Sequence, residues 1–279
     1  MIQKSYDGSN SLYIVPTPIG NLKDITTRAL EILEMVDYVF AEDTRTSGIL
    51  LKYFNIKKTL VACHKFNEDT VKNKALTLLK EGNNIALITD QGTPLISDPG
   101  YLLVKEISSN GYNVIALPGA TAFVPALNMS GIDSEKFLFY GFLPSKTTEM
   151  QKELEKLINL KYTIIFYEAP HRLLNTLENM RKILGNRIIS ISREITKIHE
   201  EVFRGTLQEA WEMFKNPKGE YVLVLDGNKE EKEVSLEILI EDIKYLVSSG
   251  MSETSAIKYV AQKNNVSKNL LYNSYHGGK

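Results

Sequence analysis

The stretch NIALITDQGTPLISDPGYLLVKEISSNGYNVIAL, residues 84–117, contains the pattern that decides the fold. Two short apolar runs, IALI and NVIAL, flank an amphipathic segment of helical length. Asp98 can cap the intervening helix with Pro99 in its first turn, and Asn110-Gly111 can supply a left-handed residue that ends it. Strand, helix and strand in this order predict one β/α repeat of an α/β protein.

The same alternation continues through the first half of the chain. Apolar runs such as LYIV, YVFA and TLVAC alternate with amphipathic segments such as TTRALEILEMV and VKNKALTLLKEG. A series of β/α units predicts a mostly parallel sheet covered by helices. We assign this part, residues 1–133, to an N-terminal α/β domain.

The pattern changes from about Phe137 onward. Strand-like runs alternate with helical segments; they are YGFLP, TIIFYE, RIISISRE, EVFRGT and YVLVLD. Only a short polar break at 195–200 separates RIISISRE from EVFRGT. Such a break favours an antiparallel or mixed sheet. We expect a second α/β domain over 134–228. The charged stretch NKEEKE indicates a linker. Residues 229–279 are predicted to form a helical tail that resembles a helix-turn-helix unit.

Composition sets limits on the class of protein. The 279 residues carry a formal net charge of −1, so binding of nucleic acid requires a local basic patch. The single cysteine, Cys63, can form no intramolecular disulfide and has no partner spacing typical of a zinc site, so we expect no metal. A polar start and the lack of an apolar run of about 18 residues lead us to expect a cytoplasmic protein.

Three loops rich in glycine or proline follow predicted strands of the first domain: PTPIGNLKD, TDQGTPLISDPG and PGATA. In open parallel sheets, ligands bind beyond the carboxyl ends of the strands, so these loops are candidate walls of a site. A fourth strand end, AEDTRTS, offers Glu42, Asp43 and Arg45. The alternatives are simple turns for the loops, and a helix cap with a surface ion pair for the charged residues. No GxGxxG follows the first strand and no P-loop motif occurs, which argues against common dinucleotide and NTP sites.

Six successive blocks together resemble one known family. They are VPTPIGNLKDIT, AEDTRTSGILLKYF, TDQGTPLISDPGY, LPGATA, FYGFLP and IIFYEAPHRL, spread over residues 12–227. This ordered set resembles the ribosomal RNA small-subunit methyltransferase I family, within the tetrapyrrole (corrin/porphyrin) methylase superfamily. The resemblance implies two α/β domains with S-adenosyl-L-methionine in the cleft between them, usually in a homodimer. It also implies 2′-O-methylation of a cytidine ribose in the decoding region of small-subunit ribosomal RNA.

The resemblance places the cofactor against the loops at the strand ends. Gly92, Thr93 and Pro94 match the superfamily's cofactor loop, and Thr121 and Ala122 match its Thr/Ser-Ala pair. The full set of expected cofactor contacts is Pro18, Gly92, Thr93, Pro94, Ile96, Thr121, Ala122, Phe166 and Tyr221.

Methylation of a hydroxyl requires a group that accepts its proton, and carboxylates are common acceptors. Asp90, Glu168 and Asp43 are our candidate catalytic residues. Asp90 ends a strand beside the cofactor loop, although it can equally hold that loop through backbone amides. Glu168 can instead cap the following helix.

Contacts to RNA use cations, hydrogen-bond donors and, for hydroxyl and amino groups, carboxylate acceptors. The candidates are Glu42, Arg45, His171, Arg172 and Arg193, with His171 open to a purely structural role at a helix start. Two other functions stay open: a noncatalytic RNA-binding or ribosome-binding module of this fold, and methylation of a tetrapyrrole or protein substrate. The TPIGNL and AEDTR blocks favour RNA.

Overall fold

The computed structural model describes residues 2–5, 7–229, 235–264 and 266–277. Contacts divide the chain into two compact units, Met1–Asn228 and Lys229–Lys279. The larger unit contains two five-stranded sheets. The predicted domain boundaries at 133/134 and 228/229 stay predictions, and most of the predicted linker NKEEKE lies outside the described residues.

The first sheet is built from β/α repeats, as predicted. Its strands follow the order β3-β2-β4-β1-β5, and every pairing is parallel. The central strands β1 and β4 are buried along their whole length because helices cover both faces. The elements are β1 Ser11–Ile14, α1 Thr27–Met35, β2 Tyr38–Ala41, α2 Thr44–Tyr53, β3 Thr59–Ala62, α3 Glu68–Lys80, β4 Ile85–Ile88, α4 Tyr101–Ser109, β5 Asn113–Ala116 and α5 Phe123–Ser130.

The predicted cap of α4 is wrong. Asp98 does not cap the helix, and the N-cap position is Gly100, which makes no side-chain cap bond. Glu68, at the start of α3, accepts hydrogen bonds from the amides of Gly100 and Leu102 instead. A carboxylate 32 residues away therefore replaces the local cap. The expected left-handed residue after α4 is present, since Gly111 has φ +82°.

The second sheet is mixed, as predicted. Its order is β6-β7-β10-β8-β9; β6 and β7 are parallel, and the other pairs are antiparallel. Helix α8 begins with a capping box formed by Thr206 and Glu209. The elements are β6 Phe137–Phe142, α6 Thr147–Lys156, β7 Thr163–Glu168, α7 Leu173–Leu184, β8 Ile188–Arg193, β9 Glu201–Thr206, α8 Leu207–Met213 and β10 Tyr221–Leu225.

Helix α5, which follows β5 of the first sheet, packs on one face of the second sheet. Ala126 and Leu127 of α5 pack with Ile165, Val222 and Val224 of the second sheet. The other face of that sheet packs on α6, α7 and α8 in a separate core. Because α5 bridges the sheets, the carboxyl ends of the first sheet's strands are brought toward one face of the second.

The described residues of the smaller unit form three helices, which agrees with the predicted helical tail. Its core includes Leu239, Ile243, Ile257, Val260 and Leu271. None of the helices in the described part of the chain has the length and apolar character that a bilayer span requires. The helices are α9 Leu236–Ser248, α10 Glu253–Asn264 and α11 Lys268–His276.

Candidate active site

The three predicted loops are hydrogen-bonded into a single wall at the edge of the first sheet. Thr17 and Gly92 exchange backbone hydrogen bonds of 2.9 and 3.0 Å. The Thr93 hydroxyl donates to the Ala120 carbonyl at 2.9 Å, and its oxygen lies 2.6 Å from that of Thr121. The second loop is thus tied to both of the others, and their relative positions are fixed.

The loop after β4 has an unusual backbone. Leu95 and Ser97 adopt left-handed φ angles of 72° and 68°, and Gly92 and Gly100 have φ of 87° and 126°. Left-handed backbone at a residue with a side chain costs about 1 to 3 kcal/mol and persists where the surroundings enforce it. At Gly100 any Cβ would lie 2.7 Å from Leu87, so only glycine fits. Such a loop is typical of a binding site rather than of a simple turn.

A cleft of about 610 Å³ separates this wall from the second sheet. This size is typical of sites for small molecules and cofactors. The lining combines loops of the first half with the ends of β7 and β10. It consists of Ile19, Glu42, Thr89, Asp90, Gln91, Gly92, Thr93, Ile96, Ser97, Asp98, Thr121, Ala122, Phe142, Tyr167, Glu168, Ala169, Pro170, His171, Ile195, Glu220, Tyr221 and Val222.

Most of the residues predicted from sequence meet in this cleft. The structure places there Asp90, Glu168, Glu42, His171, Gly92, Thr93, Ile96, Thr121, Ala122 and Tyr221. Seven others lie outside the lining: Asp43, Pro18, Pro94, Phe166, Arg45, Arg172 and Arg193. The functional roles of both sets stay predictions.

Phe166 is replaced in the cleft by its neighbour in the chain. Side chains alternate between the two faces of a strand, and the Phe166 ring is fully buried in the core on the far face of β7. Tyr167 faces the cleft with Phe142, their ring centroids 5.6 Å apart. Burial raises the pKa of the Tyr167 hydroxyl to about 12, so the phenol stays protonated.

Asp43 and Arg45 form the helix cap and ion pair that were the structural alternative to a catalytic role. Asp43 accepts from the Arg45 amide at the start of α2, and its carboxylate lies 2.6 Å from the Arg45 guanidinium. The hydrogen bonds from Arg45 lower the pKa of Asp43 to about 2. A carboxylate with so low a pKa is a poor proton acceptor near neutral pH, and this observation argues against a catalytic Asp43.

Glu168 and Arg172 hold the start of α7 together. The Glu168 carboxylate accepts from the Ala169 amide at 2.8 Å and from the Thr176 hydroxyl at 2.5 Å. Arg172 donates to the carbonyls of Leu143 and Pro144, and its Nε lies 3.4 Å from Glu168. Both side chains therefore have structural partners, which weakens the expectation that they act on substrate.

Arg193 is also engaged within the fold. It ends β8 opposite Glu201 of β9, and its guanidinium lies 2.8 Å from that carboxylate. The pair spans an antiparallel ladder at the sheet edge rather than lining the cleft.

Two carboxyl groups in the cleft have raised pKa values. Burial raises the pKa of Asp90, with help from the charges of Glu42 and Asp43, while the Asp43 amide opposes the shift through its hydrogen bond to Asp90 Oδ1. Burial raises the pKa of Asp98 to about 6, and the nearby charges of Glu42 and Asp90 add to this effect. The Thr89 hydroxyl donates to Glu42 at 2.8 Å. The same side chain partly offsets the rise in the pKa of Asp98. The cleft thus contains one carboxyl group, Asp98, with a pKa near neutral pH, and a second, Asp90, whose pKa is raised from its ordinary value.

Sequence reasoning missed several lining residues, above all Asp98, Tyr167 and Glu220. An aspartate directly before a proline is a strong local signal for a helix N-cap, so the sequence predicts that role for Asp98. Asp98 directly follows Ser97, whose left-handed φ of 68° nothing in the sequence marks. Among the described residues, no cluster of three or more histidine, cysteine or carboxylate side chains has metal-site geometry.

Comparisons with known proteins give the same class as the fold and the cleft. The sequence model of the tetrapyrrole (corrin/porphyrin) methylases matches residues 11–210. A solved structure of uroporphyrin-III C-methyl transferase from Thermus thermophilus, complexed with S-adenyl homocysteine, superposes with a TM-score of 0.56 at 16% identity. It covers 78% of this chain and 97% of its own. An α/β protein with two sheets and a ligand cleft between them is thus the class that the architecture defines.

Curated relatives narrow the family. The chain is 45% identical to "Ribosomal RNA small subunit methyltransferase I" of Halalkalibacterium halodurans and 44% identical to that of Bacillus subtilis, each over 98% of both chains. The chain therefore belongs to the ribosomal RNA small subunit methyltransferase I family of the tetrapyrrole methylases.

Proposed function

We propose that this protein transfers a methyl group from S-adenosyl-L-methionine to the 2′-hydroxyl of a cytidine in the decoding region of small-subunit ribosomal RNA. The observation that carries the proposal is the hydrogen-bonded wall of three loops around an acidic cleft, in a chain 45% identical over its full length to a relative with that RNA in its name. A pure RNA-binding module gives no reason for a strained loop to face a cleft of cofactor size.

The cleft fits the cofactor in size and charge. S-adenosyl-L-methionine supplies a methyl group bonded to a positively charged sulfur. Carboxylates among the lining residues, at Glu42, Asp90, Asp98 and Glu220, provide a negative environment for such a cation. The positive φ of Gly92 leaves its backbone open to close approach, since glycine carries no Cβ.

The chain's own residues orient the reactants and remove a proton. Thr93 and Thr121 fix the cofactor loops against each other, which favours the alignment that an in-line displacement requires. The Asp43 amide binds Asp90 Oδ1, leaving Oδ2 to accept the proton of the ribose hydroxyl. The raised pKa of Asp90 makes it a stronger base than an exposed aspartate.

We extend the proposal to the setting of the reaction. The substrate is ribosomal RNA within the assembled or assembling small subunit, the protein is cytoplasmic, and it acts as a homodimer. The edge strand β6 supports the dimer because its Phe137 and Leu138 are 44% and 37% exposed. Analytical ultracentrifugation tests the dimer directly, and a monomer at micromolar concentration would contradict it.

The decisive experiment incubates the protein with methyl-labelled S-adenosyl-L-methionine and small ribosomal subunits that lack the modification. The RNA is then hydrolysed with alkali, which cannot cleave beside a methylated 2′-hydroxyl. We expect label in an alkali-resistant dinucleotide that begins with cytidine. Label in a mononucleotide would mean base methylation, and no transfer despite measurable cofactor binding would point to a tetrapyrrole or protein acceptor.

A further inference from the structure

The charge of the cleft creates a problem for an RNA substrate. Carboxylates of Glu42, Asp90, Asp98 and Glu220 are among its lining residues, and this lining repels phosphate groups. An RNA strand carries one negative charge at each nucleotide, and cationic side chains usually bind those charges. The phosphates beside a nucleotide held in the cleft therefore need a cationic site just outside it.

The arginines predicted from sequence are engaged elsewhere. Arg45 is paired with Asp43, Arg193 is paired with Glu201, and Arg172 donates to two backbone carbonyls. Each guanidinium therefore already has partners within the fold, and the charges of Arg45 and Arg193 are offset by carboxylates.

A second cavity of about 310 Å³ adjoins the cleft and has the opposite charge. The two share Pro170 and His171, so a strand that leaves one enters the other. The lining of this lysine pocket within the described residues contains two lysines, a histidine and an asparagine, and no carboxylate. It consists of Pro170, His171, Leu174, Lys215, Asn216, Pro217 and Lys218.

The loop that carries the two lysines is attached to the cleft. The Tyr221 hydroxyl accepts a hydrogen bond of 3.1 Å from the Lys218 amide, and Tyr221 itself lines the cleft. The Lys215 ammonium lies 3.5 Å from the centre of the Trp211 ring, which holds the cation without neutralising it. The Lys215 ammonium and the backbone of Lys218 are therefore held beside the reacting centre.

We propose that the lysine pocket binds a backbone phosphate of the RNA strand next to the nucleotide that enters the cleft. The inference rests on the proposed function, because it assumes an RNA substrate. Lys215 and Lys218 supply the positive charge, while His171 and Asn216 supply further hydrogen-bond donors. Such a contact positions the strand and is independent of base sequence.

The test compares the Lys215→Gln/Lys218→Gln double variant with wild type in binding unmodified small ribosomal subunits over a range of salt concentrations. Each lost phosphate contact lowers the salt slope by about 0.7 to 0.9. We expect a slope lower by about 0.7 to 0.9, for the single phosphate, and, at low salt, binding weaker by roughly tenfold. Cofactor affinity by calorimetry and the unfolding midpoint should match wild type, which shows that the variant is folded.

Lys80→Gln, on the exposed face of α3, is the matched control for loss of a surface charge. Wild-type binding and slope in the double variant would overturn the proposal, and so would an equal loss in Lys80→Gln. The methylation assay separates the two inferences. If wild type methylates the ribose and the double variant binds normally, only the lysine pocket is refuted. If wild type transfers no methyl group but the slope falls as expected, only the proposed chemistry is refuted.

Discussion

At the scale of single residues, Asp98 couples the chemistry of the cleft to stability. Its pKa of about 6 in the folded protein exceeds the ordinary value of 3.8. A raised pKa means that the folded state binds the proton more tightly, so this contribution to stability is full at acid pH and is lost as the pH rises through 6. Ionisation of Asp98 therefore lowers the free energy of unfolding.

Asp98→Asn removes that cost because asparagine stays neutral. The shift from 3.8 to about 6 corresponds to about 3 kcal/mol, since each unit of pKa shift is worth ~1.4 kcal/mol. Solvent screening at this partly exposed carboxyl reduces the effect, so we expect the variant to be more stable than wild type by about 2 kcal/mol at pH 8. Near pH 4 the two proteins should be close in stability. Urea unfolding at both pH values measures the difference, and an equal gain at both would exclude Asp98 as the source.

The hydroxyl of Thr93 provides a second prediction. Thr93→Val keeps the shape of the side chain but removes the donor to Ala120 and the contact with Thr121. Loss of one such hydrogen bond costs about 1 kcal/mol, so we expect roughly fivefold weaker cofactor binding by calorimetry. Thr77→Val is the control because that exposed hydroxyl donates only within its own helix. Unchanged affinity in Thr93→Val would mean that the loops do not need this link.

Individual site residues were predicted unevenly from the sequence. Gly92, Thr93 and Thr121 were placed at the site by the family resemblance, and they do line the cleft, while their cofactor contacts stay predictions. Asp98 and Phe166 could not be predicted, since the direction of each side chain depends on backbone strain or on strand register. The same limit applies to Arg172, whose carbonyl partners lie 28 and 29 residues away.

At the scale of elements, helix α4 depends on a carboxylate from helix α3. Glu68 is 8% exposed and accepts from the amides of Gly100 and Leu102, at 2.8 and 3.1 Å. These amides would otherwise lack partners at the helix start. Gly100 also closes the strained loop, so the carboxylate supports the wall of the cleft.

Glu68→Gln leaves a single acceptor oxygen for two amides. We expect a loss of about 1 to 3 kcal/mol in the free energy of unfolding, together with weaker cofactor binding. Asp69→Asn is the control, because its ion pair with Lys72 is at the surface and contributes at most about 1 kcal/mol. Equal effects of both substitutions in chemical denaturation would contradict the assigned role of Glu68.

At the scale of the whole molecule, the order of elements could be read from hydrophobic patterns. Alternating strands and helices predict the parallel first sheet, and the short break between β8 and β9 predicts an antiparallel pair. The bridging position of α5 could not be read, because its contacts with β10 join residues nearly 100 positions apart. The cleft itself depends on that long-range packing.

The two compact units have separate cores, which leads to a prediction for a shortened chain. The core of α9–α11 uses residues between Leu239 and Leu271, whereas the cleft is lined only by residues up to Val222. We therefore expect a protein ending at Asn228 to fold cooperatively and to bind S-adenosyl-L-methionine within about twofold of the full chain. The reason is that this protein keeps the described lining of the cleft and the described core residues of the larger unit. Calorimetry and thermal unfolding measure both properties. A truncated protein that unfolds broadly or binds no cofactor would show that the helical unit completes the fold of the larger one.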